Sequence, residues 1–345
     1  MKYSIIVPVY NRPEEVDELL DSLTGQTLKD FEVIIVEDGS SRTCRNVCEG
    51  YAGSLDIHYY YKDNSGPGQS RNYGAECAKG HYLLILDSDV VLPESYLQAV
   101  DDELQRDVCD AFGGPDKAHQ SFTDTQKAIS YSMTSFFTTG GIRGGKKKLD
   151  KFYPRSFNMG VKKDVYERLG GFSKMRFGED IDFSIRIFKA DYRCRLFPEA
   201  WVWHKRRTDF RKFFRQVFNS GIARINLYKK YPESLKPVHM LPMVFTVGVV
   251  LLVLISAVGR VLMEYDDVHR WYWLCALPWL PILLYSGLIA IDATCKEHNV
   301  KVGLLSVPAA FIQLIGYGCG FLTAFWRRCV LGHDEFHAYE KTFYK

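Results

Sequence analysis

Three long apolar segments in the last third of the chain place the strongest limit on how this sequence can fold. They cover residues 240–259, 271–291 and 302–326, and none of them contains Asp, Glu, Lys or Arg. A helix rises about 1.5 Å per residue, so each segment is long enough to cross the hydrocarbon core of a bilayer, which is about 30 Å thick. The segments therefore predict three transmembrane helices. The second is the weakest, because Pro278 and Pro281 would kink it or make it re-enter.

The charges that flank these segments favour two different orientations. Lys and Arg are concentrated before residue 240, which places that side of the first segment in the cytosol. Three crossings would leave the C-terminal residues outside, yet Arg327 and Arg328 favour the inside. Two alternatives follow: one segment does not cross, or the first segment alone sets the orientation.

The rest of the composition excludes some classes of protein. The 345 residues include 44 basic and 41 acidic side chains, a net charge of +3, which does not fit a strongly basic nucleic-acid binder. Nine cysteines form no CxxC or Cys/His metal pattern, so we expect free thiols in a reducing compartment. The first residues, MKYSIIVPVYNRP, do not resemble a signal peptide. We therefore expect the N-terminal part to face the cytosol, in a multi-pass protein of a bacterial inner membrane.

The N-terminal part alternates strand-like and helix-like segments. Apolar runs predict strands over 3–10, 31–40, 55–63 and 81–89, and helical spacing predicts helices over 14–24 and 70–80. This alternation predicts an α/β fold with a doubly wound sheet that has helices on both faces. In such sheets ligands bind beyond the carboxyl ends of the strands.

Three predicted strands end in polar residues, at Pro8-Val9-Tyr10-Asn11, at Glu37-Asp38-Gly39-Ser40 and at Asp87-Ser88-Asp89. In an extended backbone, residues two apart point to the same side, so Asp87 and Asp89 would face one spot. Two close anions repel each other unless a cation lies between them. The pattern predicts a divalent cation that carries a phosphate.

The segment DNSGPGQSRNYGA (63–75) indicates a phosphate site beside it. Gly66 and Gly68 allow close approach of the backbone, and a helix begins near Gln69. Arg71 would contact a phosphate. The segment matches neither GxxxxGK[ST] nor GxGxxG, so alone it is a weak signal.

The motifs IIVPVYNR, VEDGSS, GPGQSRNYGA, LDSDVVLP, NMGV, GGF, GEDIDFSIR and WVWH occur in this order over roughly residues 1–225. Together they resemble a family 2 glycosyltransferase with the GT-A fold, a Rossmann-like mixed sheet with helices on both faces. Glu37 departs from the family, which usually has a second Asp there. No QxxRW motif follows the late His, which disfavours a processive polysaccharide synthase.

The resemblance implies a nucleotide-diphosphate sugar donor, usually a UDP-sugar, and Mg²⁺ or Mn²⁺. It implies that Asp89 is the direct metal ligand, that Asp87 leans toward the ribose or the metal's water shell, and that His204 completes the metal or diphosphate site. The residues expected to bind the nucleotide-sugar are Pro8, Val9, Tyr10, Asn11, Asp38, Gly66, Arg71, Asp87 and Ser88.

The resemblance also implies a catalytic pair at the start of a helix over 177–187. Asp180 would be the general base that takes the proton from an acceptor hydroxyl, and Glu179 would assist it or bind the acceptor. Attack opposite the leaving group would invert the configuration at the anomeric carbon.

Four regions are expected: a catalytic domain (1–207), an amphipathic interfacial helix and linker (208–237), a membrane domain (238–328) and a C-terminal tail (329–345). Residues 113–119 are a candidate sugar-side loop. Lys146–Lys148 would meet an anionic head group or an acceptor phosphate, or form a solvated basic loop. The helix over 208–230 would lie on the membrane surface or cap the catalytic domain.

The sequence thus predicts a membrane-bound, inverting, metal-dependent glycosyltransferase of cell-surface polysaccharide synthesis. Its expected partners are a nucleotide-sugar, a lipid-linked or glycan acceptor and membrane lipids, and no nucleic acid. The rival functions are a polyprenyl-phosphate sugar transferase, a processive synthase and a membrane scaffold with an inactive transferase domain.

Overall fold

The computed structural model describes residues 1–119, 121–139, 152–175, 177–265 and 275–338. The chain divides into two compact units. The first unit contains Met1–Gln120 and Asp150–Lys205, and the second contains Ser121–Leu149 and Arg206–Lys345. Residues 121–139 therefore pack with the C-terminal region, although they lie between two stretches of the first unit.

The first unit is built on a seven-stranded mixed sheet with the strand order β3-β2-β1-β4-β8-β6-β9. Its strands are β1 (Tyr3–Val9), β2 (Phe31–Asp38), β3 (Ile57–Lys62), β4 (Tyr82–Leu86), β6 (Ala111–Gly113), β8 (Asn158–Lys162) and β9 (Cys194–Leu196). The first four are mutually parallel, whereas β8 runs antiparallel to both β4 and β6. A small second sheet contains β5 (Val90–Val91), β10 (Val202–His204) and β7 (Asp116–Lys117).

Helices cover both faces of the large sheet, which confirms the predicted α/β class. They are α1 (Pro13–Thr24), α2 (Arg45–Tyr51), α3 (Pro67–Cys77), α4 (Tyr96–Arg106), α7 (Lys163–Arg168) and α8 (Glu179–Lys189). Alternate residues of β1 enter different cores: Ile5 packs with Leu20 of α1, and Ile6 packs with Phe183 of α8. Because both faces are buried, the strands are continuous apolar runs.

The second unit is helical. It contains α5 (Asp124–Thr134), α6 (Phe136–Thr139), α9 (Phe210–Lys230), α10 (Leu241–Tyr265), α11 (Leu280–Glu297) and α12 (Val300–Phe325), with 3₁₀ turns at Pro232–Ser234, Pro237–Met240 and Leu277–Trp279 and a π turn at Trp326–Val330. Three stretches are long and apolar enough to cross a membrane: Pro237–Met263, Leu277–Glu297 and Val300–Val330. They correspond to the three predicted segments, although residues 271–274 lie outside the described residues.

Two predicted elements near the site have the wrong bounds. The helix predicted over 70–80 begins at Pro67, because Gly66 has φ 93° and Pro67 has the fixed φ of a first helical residue, and it ends at Cys77 because Ala78 is extended. The strand predicted over 81–89 ends at Leu86, and a turn separates it from β5.

Candidate active site

The loops that follow β1 and β2 are joined by Asn11. Its backbone amide donates to Ser40 Oγ at 2.8 Å, and its Oδ1 accepts from the amides of Ser41 and Arg42, both at 2.9 Å. Asn11 has φ 55°, a left-handed conformation that Asn tolerates better than most residues. Asn11, which is predicted to bind the nucleotide, therefore holds the two loops together at the edge of the sheet where a nucleotide would lie.

Glu37, the departure from the family pattern, has a structural role. Its carboxylate is fully buried and accepts hydrogen bonds from the Ser40 hydroxyl, from the Cys44 amide at 2.8 Å and from the Tyr59 hydroxyl at 3.3 Å. These bonds satisfy a buried carboxylate and close the loop after β2.

Asp38 is bonded to the loop over 63–66. Its Oδ1 accepts from Lys62 Nζ at 2.5 Å and from the Ser65 amide at 2.9 Å, and its Oδ2 accepts from the Gly66 amide at 2.9 Å. Asp38 thus fixes the start of α3, the helix predicted to face a phosphate. Its contact with the base of a nucleotide stays a prediction.

Asp87, Asp89 and His204 come together at the ends of β4 and β10. One ligand atom from each lies within 4.8 Å of the others. The expected extended backbone at Asp87–Asp89 is wrong, since a turn holds them, and pairing of β10 with β5 brings in His204. The Lys205 amide donates to the Asp89 carbonyl at 3.0 Å, and His204 Nε2 lies 3.2 Å from Asp89 Oδ1.

The chemistry of this group fits a divalent cation. Two carboxylates supply the oxygen ligands that Mg²⁺ and Mn²⁺ use in proteins, and the imidazole adds a nitrogen ligand that is better suited to a transition ion. His204 Nδ1 is buried and has no hydrogen-bond partner among the residues described. The nitrogen that faces Asp89 is Nε2, so Nε2 is the atom with which His204 would bind the ion.

Arg71 connects this group to the predicted catalytic pair. Its Nη2 donates to Asp87 Oδ1 and its Nη1 to Glu179 Oε1, both at 2.8 Å, and the side chain is only 4% exposed. Both terminal nitrogens are therefore bonded to carboxylates. The structure gives Arg71 a positioning role, and its contact with a diphosphate stays a prediction.

The GGF motif (170–172) packs against the guanidinium group of Arg71. The guanidinium carbon of Arg71 lies 5.3 Å from the centre of the Phe172 ring. Asn72 holds the backbone of Phe172 at both ends, because its Oδ1 accepts from the Phe172 amide at 2.8 Å and its Nδ2 donates to the carbonyl at 2.9 Å. A Cβ atom at Gly171, which has φ 63°, would overlap Asn72 Oδ1, so this approach requires glycine.

Glu179 and Asp180 begin α8 but have different surroundings. Burial raises the pKa of Glu179 to about 7; the Arg71 guanidinium opposes this rise, and the nearby Asp180 carboxylate adds to it. The Asp180 side chain is 14% exposed, and its Oδ2 lies 3.2 Å from Arg155 Nη1. Glu179 therefore holds Arg71, and the role of Asp180 as the general base stays a prediction.

Two basic residues of the site were missed by sequence reasoning. Arg12 Nη1 lies 2.5 Å from Asp89 Oδ2, and Arg155 pairs with Asp180. Arg12 is adjacent to Asn11 in the IIVPVYNR motif, which could have pointed to it. Nothing in the pattern distinguishes Arg155 from the other basic residues of 140–160.

The other predicted site residues lie at the same edge or outside the description. Pro8 and Val9 end β1, Tyr10 follows it, and Ser88 is buried in the turn between Asp87 and Asp89. The predicted loop over 113–119 contains β7, which pairs with β10. Lys146–Lys148 lie outside the described residues.

The mixed sheet and the acidic site at its carboxyl edge define a sugar-transferring domain of the GT-A type. Residues 4–170 match the family described as Glycosyl transferase family 2. Residues 4–170 therefore form a glycosyltransferase family 2 domain, as the motif order predicted.

Curated relatives of this chain are named as glycosyltransferases. The uncharacterized glycosyltransferase EpsJ of Bacillus subtilis is 26% identical over 204 residues, which cover 57% of this chain and 59% of that protein. An uncharacterized glycosyltransferase of Haemophilus influenzae is 32% identical over 194 residues, 54% of this chain and 62% of that protein. The chain thus spans about three-fifths of the length of these two relatives.

A solved structure supports the fold over most of the chain. The mannosyltransferase PcManGT from Pyrobaculum calidifontis, solved in complex with GDP-Man and Mn²⁺, superimposes with a TM-score of 0.59 over 95% of this chain and 88% of that chain. The sequences are 14% identical, so the likeness concerns the fold.

Proposed function

We propose that the chain is a membrane-bound, metal-dependent, inverting glycosyltransferase. It would move a sugar from a nucleotide-diphosphate donor, with a UDP-sugar favoured by the family resemblance, to a hydroxyl of a lipid-linked or polysaccharide acceptor. One observation carries the proposal: Arg71 joins the Asp87–Asp89–His204 group to the Glu179–Asp180 pair. A candidate metal site and a candidate base are thus neighbours at one edge of the sheet.

At the donor side, Asp87, Asp89 and His204 would hold the cation. A bound divalent cation would neutralise charge on the donor diphosphate and make it a better leaving group. Asp38 and the residues Pro8–Asn11 would bind the nucleoside part. The mannosyltransferase neighbour binds GDP-Man with Mn²⁺, and His204 supports the choice of Mn²⁺ here.

At the acceptor side, Asp180 would accept the proton of the acceptor hydroxyl as its oxygen forms the bond to the anomeric carbon. The bond from that carbon to the diphosphate oxygen would break on the opposite face, so the configuration would invert. Arg155 orients the Asp180 carboxylate, and Glu179 holds Arg71 between the two halves of the site.

The apolar helices support an acceptor that is held at a membrane. Three stretches have the length and composition of membrane-crossing helices. An enzyme fixed at the bilayer would meet lipid-linked sugars or a growing surface glycan. We place the catalytic domain on the cytosolic side of a bacterial inner membrane, where nucleotide-sugars are available.

The test is release of nucleoside diphosphate from a panel of UDP-, GDP- and dTDP-sugars. Purified full-length protein in detergent is assayed with Mn²⁺, with Mg²⁺ and without metal, beside Asp89→Ala. The control is Asp102→Ala, which removes an exposed carboxylate of α4. Metal-dependent release from one donor that Asp89→Ala abolishes and Asp102→Ala retains would support the proposal.

Release that is equal in Asp89→Ala would contradict the metal role. If no donor is turned over, titration of UDP and GDP in the presence of Mn²⁺ separates a strict need for acceptor, in which binding is retained, from an inactive domain, in which it is lost. An acid-labile lipid-phosphate product would identify the rival polyprenyl-phosphate sugar transferase.

A further inference from the structure

The third apolar stretch differs from the other two in how much of it other helices cover. In the most apolar 18 residues of Val300–Val330, 44% is buried within the second unit. The corresponding share is 6% for the stretch at Pro237–Met263 and 11% for that at Leu277–Glu297. A helix that meets lipid on most sides has little of its surface covered by protein. The contacts of α12 therefore show whether it can cross a bilayer.

The first half of α12 packs against α5 and α11 beside charged groups. Lys301 pairs with Asp124 of α5 at 2.8 Å. Gly303 lies so close to α11 that a Cβ atom there would overlap the Thr294 side chain. Two residues before Thr294, Asp292 accepts from the Tyr131 hydroxyl of α5 at 2.6 Å.

The second half of α12 runs parallel to α9. Gly316 packs against Val217, Gly320 against the backbone of Phe218, and Arg328 donates to Asn226 at 2.7 Å. The residue numbers of the contacting pairs increase together along both helices, so the two helices lie side by side in the same direction. Glycines allow the backbones to approach this closely.

The helix α9 carries too many charged side chains to lie beside α12 inside the hydrocarbon core of a bilayer. Phe213 of α9 packs beside Ile312, which lies near the middle of α12. If α12 crossed a bilayer, the exposed side chains of Arg211 and Lys212 would lie close to the membrane centre. Ionised side chains at that depth are costly and rare.

The residues that follow α12 also return to α9. Asn219 of α9 makes two hydrogen bonds of 3.0 Å with the backbone of Ala338, one as donor and one as acceptor. Arg327 lies over the ring of Phe336, with 4.1 Å between the guanidinium carbon and the ring centre. The described residues after α12 therefore remain in contact with α9.

The helices α10 and α11 have the opposite character. Large apolar side chains are exposed along them, among them Leu251, Leu254, Val258, Leu283 and Leu284. The turn just before α11 contacts α10, because the indole nitrogen of Trp279 donates to Ser256 Oγ at 2.8 Å. Such continuous apolar surface needs a non-aqueous partner, and the length of α10 matches the hydrocarbon of a bilayer.

We propose that the chain crosses the bilayer twice, as a hairpin of α10 and α11, and that α12 remains with α5 and α9 on one side. Lipid hydrocarbon covers the part of α10 after Thr246, whose side chain is buried against α12 beside Leu314, and the first part of α11. The C-terminal residues then lie on the same side as α9, which agrees with the preference of Arg327 and Arg328 for the inside. This topology is independent of the donor and acceptor proposed above.

Reporter fusions to the full chain, produced in a Gram-negative bacterium, test the proposal. Green fluorescent protein after Lys345 reports a cytosolic C-terminus, and alkaline phosphatase at the same position reports a periplasmic one. An epitope inserted between Asp267 and Val268 reports the sequence between α10 and α11. An N-terminal epitope is the control for the cytosolic side, and immunoblots normalise each signal to full-length protein.

We expect fluorescence, no phosphatase activity, and cleavage of the inserted epitope by protease in spheroplasts. Phosphatase activity at the C-terminus would show a third crossing and overturn the proposal. An inserted epitope that is protected until the membrane is opened would show that the hairpin does not cross, and would overturn it as well. If a fusion is degraded, protease protection of a short C-terminal epitope makes the same distinction.

Discussion

Arg71 and Glu179 form an ion pair in the interior of the first unit, with 2.8 Å between Nη1 and Oε1. The other terminal nitrogen of Arg71 lies equally close to Asp87. One buried cation therefore connects the residues proposed to bind the metal with those proposed to act on the acceptor. Disturbing it should affect stability and activity together.

We expect Arg71→Met to destabilise the first unit by about 3–5 kcal/mol, because it leaves the Glu179 carboxylate buried without its counterion. Adding Glu179→Gln should restore part of this loss, since the buried charge is then removed. Thermal unfolding of the purified variants measures both effects. A double variant that is no more stable than Arg71→Met would contradict the pairing.

The raised pKa of Glu179, about 7, predicts a pH dependence of the proposed activity. Below that pH the carboxyl group is protonated and holds Arg71 less firmly, whereas above it the group is ionised. We expect kcat/KM to rise as the pH increases through about 7, and Glu179→Gln to lack this rise. If the variant keeps the same profile, a different group is responsible.

The same shift has a consequence for stability with a defined sign. The pKa of Glu179 rises from an ordinary value of 4.5 to about 7 on folding, so the folded chain binds the proton more tightly than the unfolded chain. Between these values, the wild type should lose stability relative to Glu179→Gln as the pH rises. The test is the unfolding midpoint of each protein at two pH values. One is pH 5, near the lower end of this window, and the other is pH 8, about one unit above its upper end.

We expect Asp180→Asn to lower kcat by about 10²–10⁴-fold and to leave donor affinity nearly unchanged, because a general base acts on the acceptor proton and not on the donor. Asp164→Asn is the matched control, since Asp164 also lies in the first turn of a helix but is exposed. Steady-state rates and a donor titration separate the two effects. Loss of donor binding in Asp180→Asn would place this residue on the donor side instead.

The contact between α9 and α12 predicts a position-specific effect of a larger side chain. A Cβ atom at Gly221 would overlap the carbonyl oxygen of Tyr317, whereas one at Gly287 of α11 would meet no atom of the described residues within 4 Å. We expect Gly221→Leu to cost at least about 1–3 kcal/mol and Gly287→Leu to have little effect. The fraction of monodisperse protein in detergent and the Tm report the difference. Equal behaviour of the two variants would argue against the close packing.

The sequence predicts the site better than it predicts the packing around it. Asp38 ends β2, and Asp87 and Asp89 follow β4. The carboxyl ends of parallel strands meet at one edge of the sheet, so strand order alone brings these residues near each other. The contacts of Arg12 and Arg155 depend on side-chain direction and on loop conformation, which periodicity does not encode. The apolar run of α12 likewise indicates a long buried helix, but it does not say whether lipid or α9 covers it.

Because α5 packs in the second unit, the order in which the chain can fold is constrained. Ala128 and Ile129 on α5 are buried against Val302, Ala309 and Phe213, all of which are synthesised much later. Until α12 has been made, the apolar side of α5 lacks its cover, and a fragment that ends at residue 207 would expose it to water. The second unit can therefore be completed only after the last of the long helices leaves the ribosome.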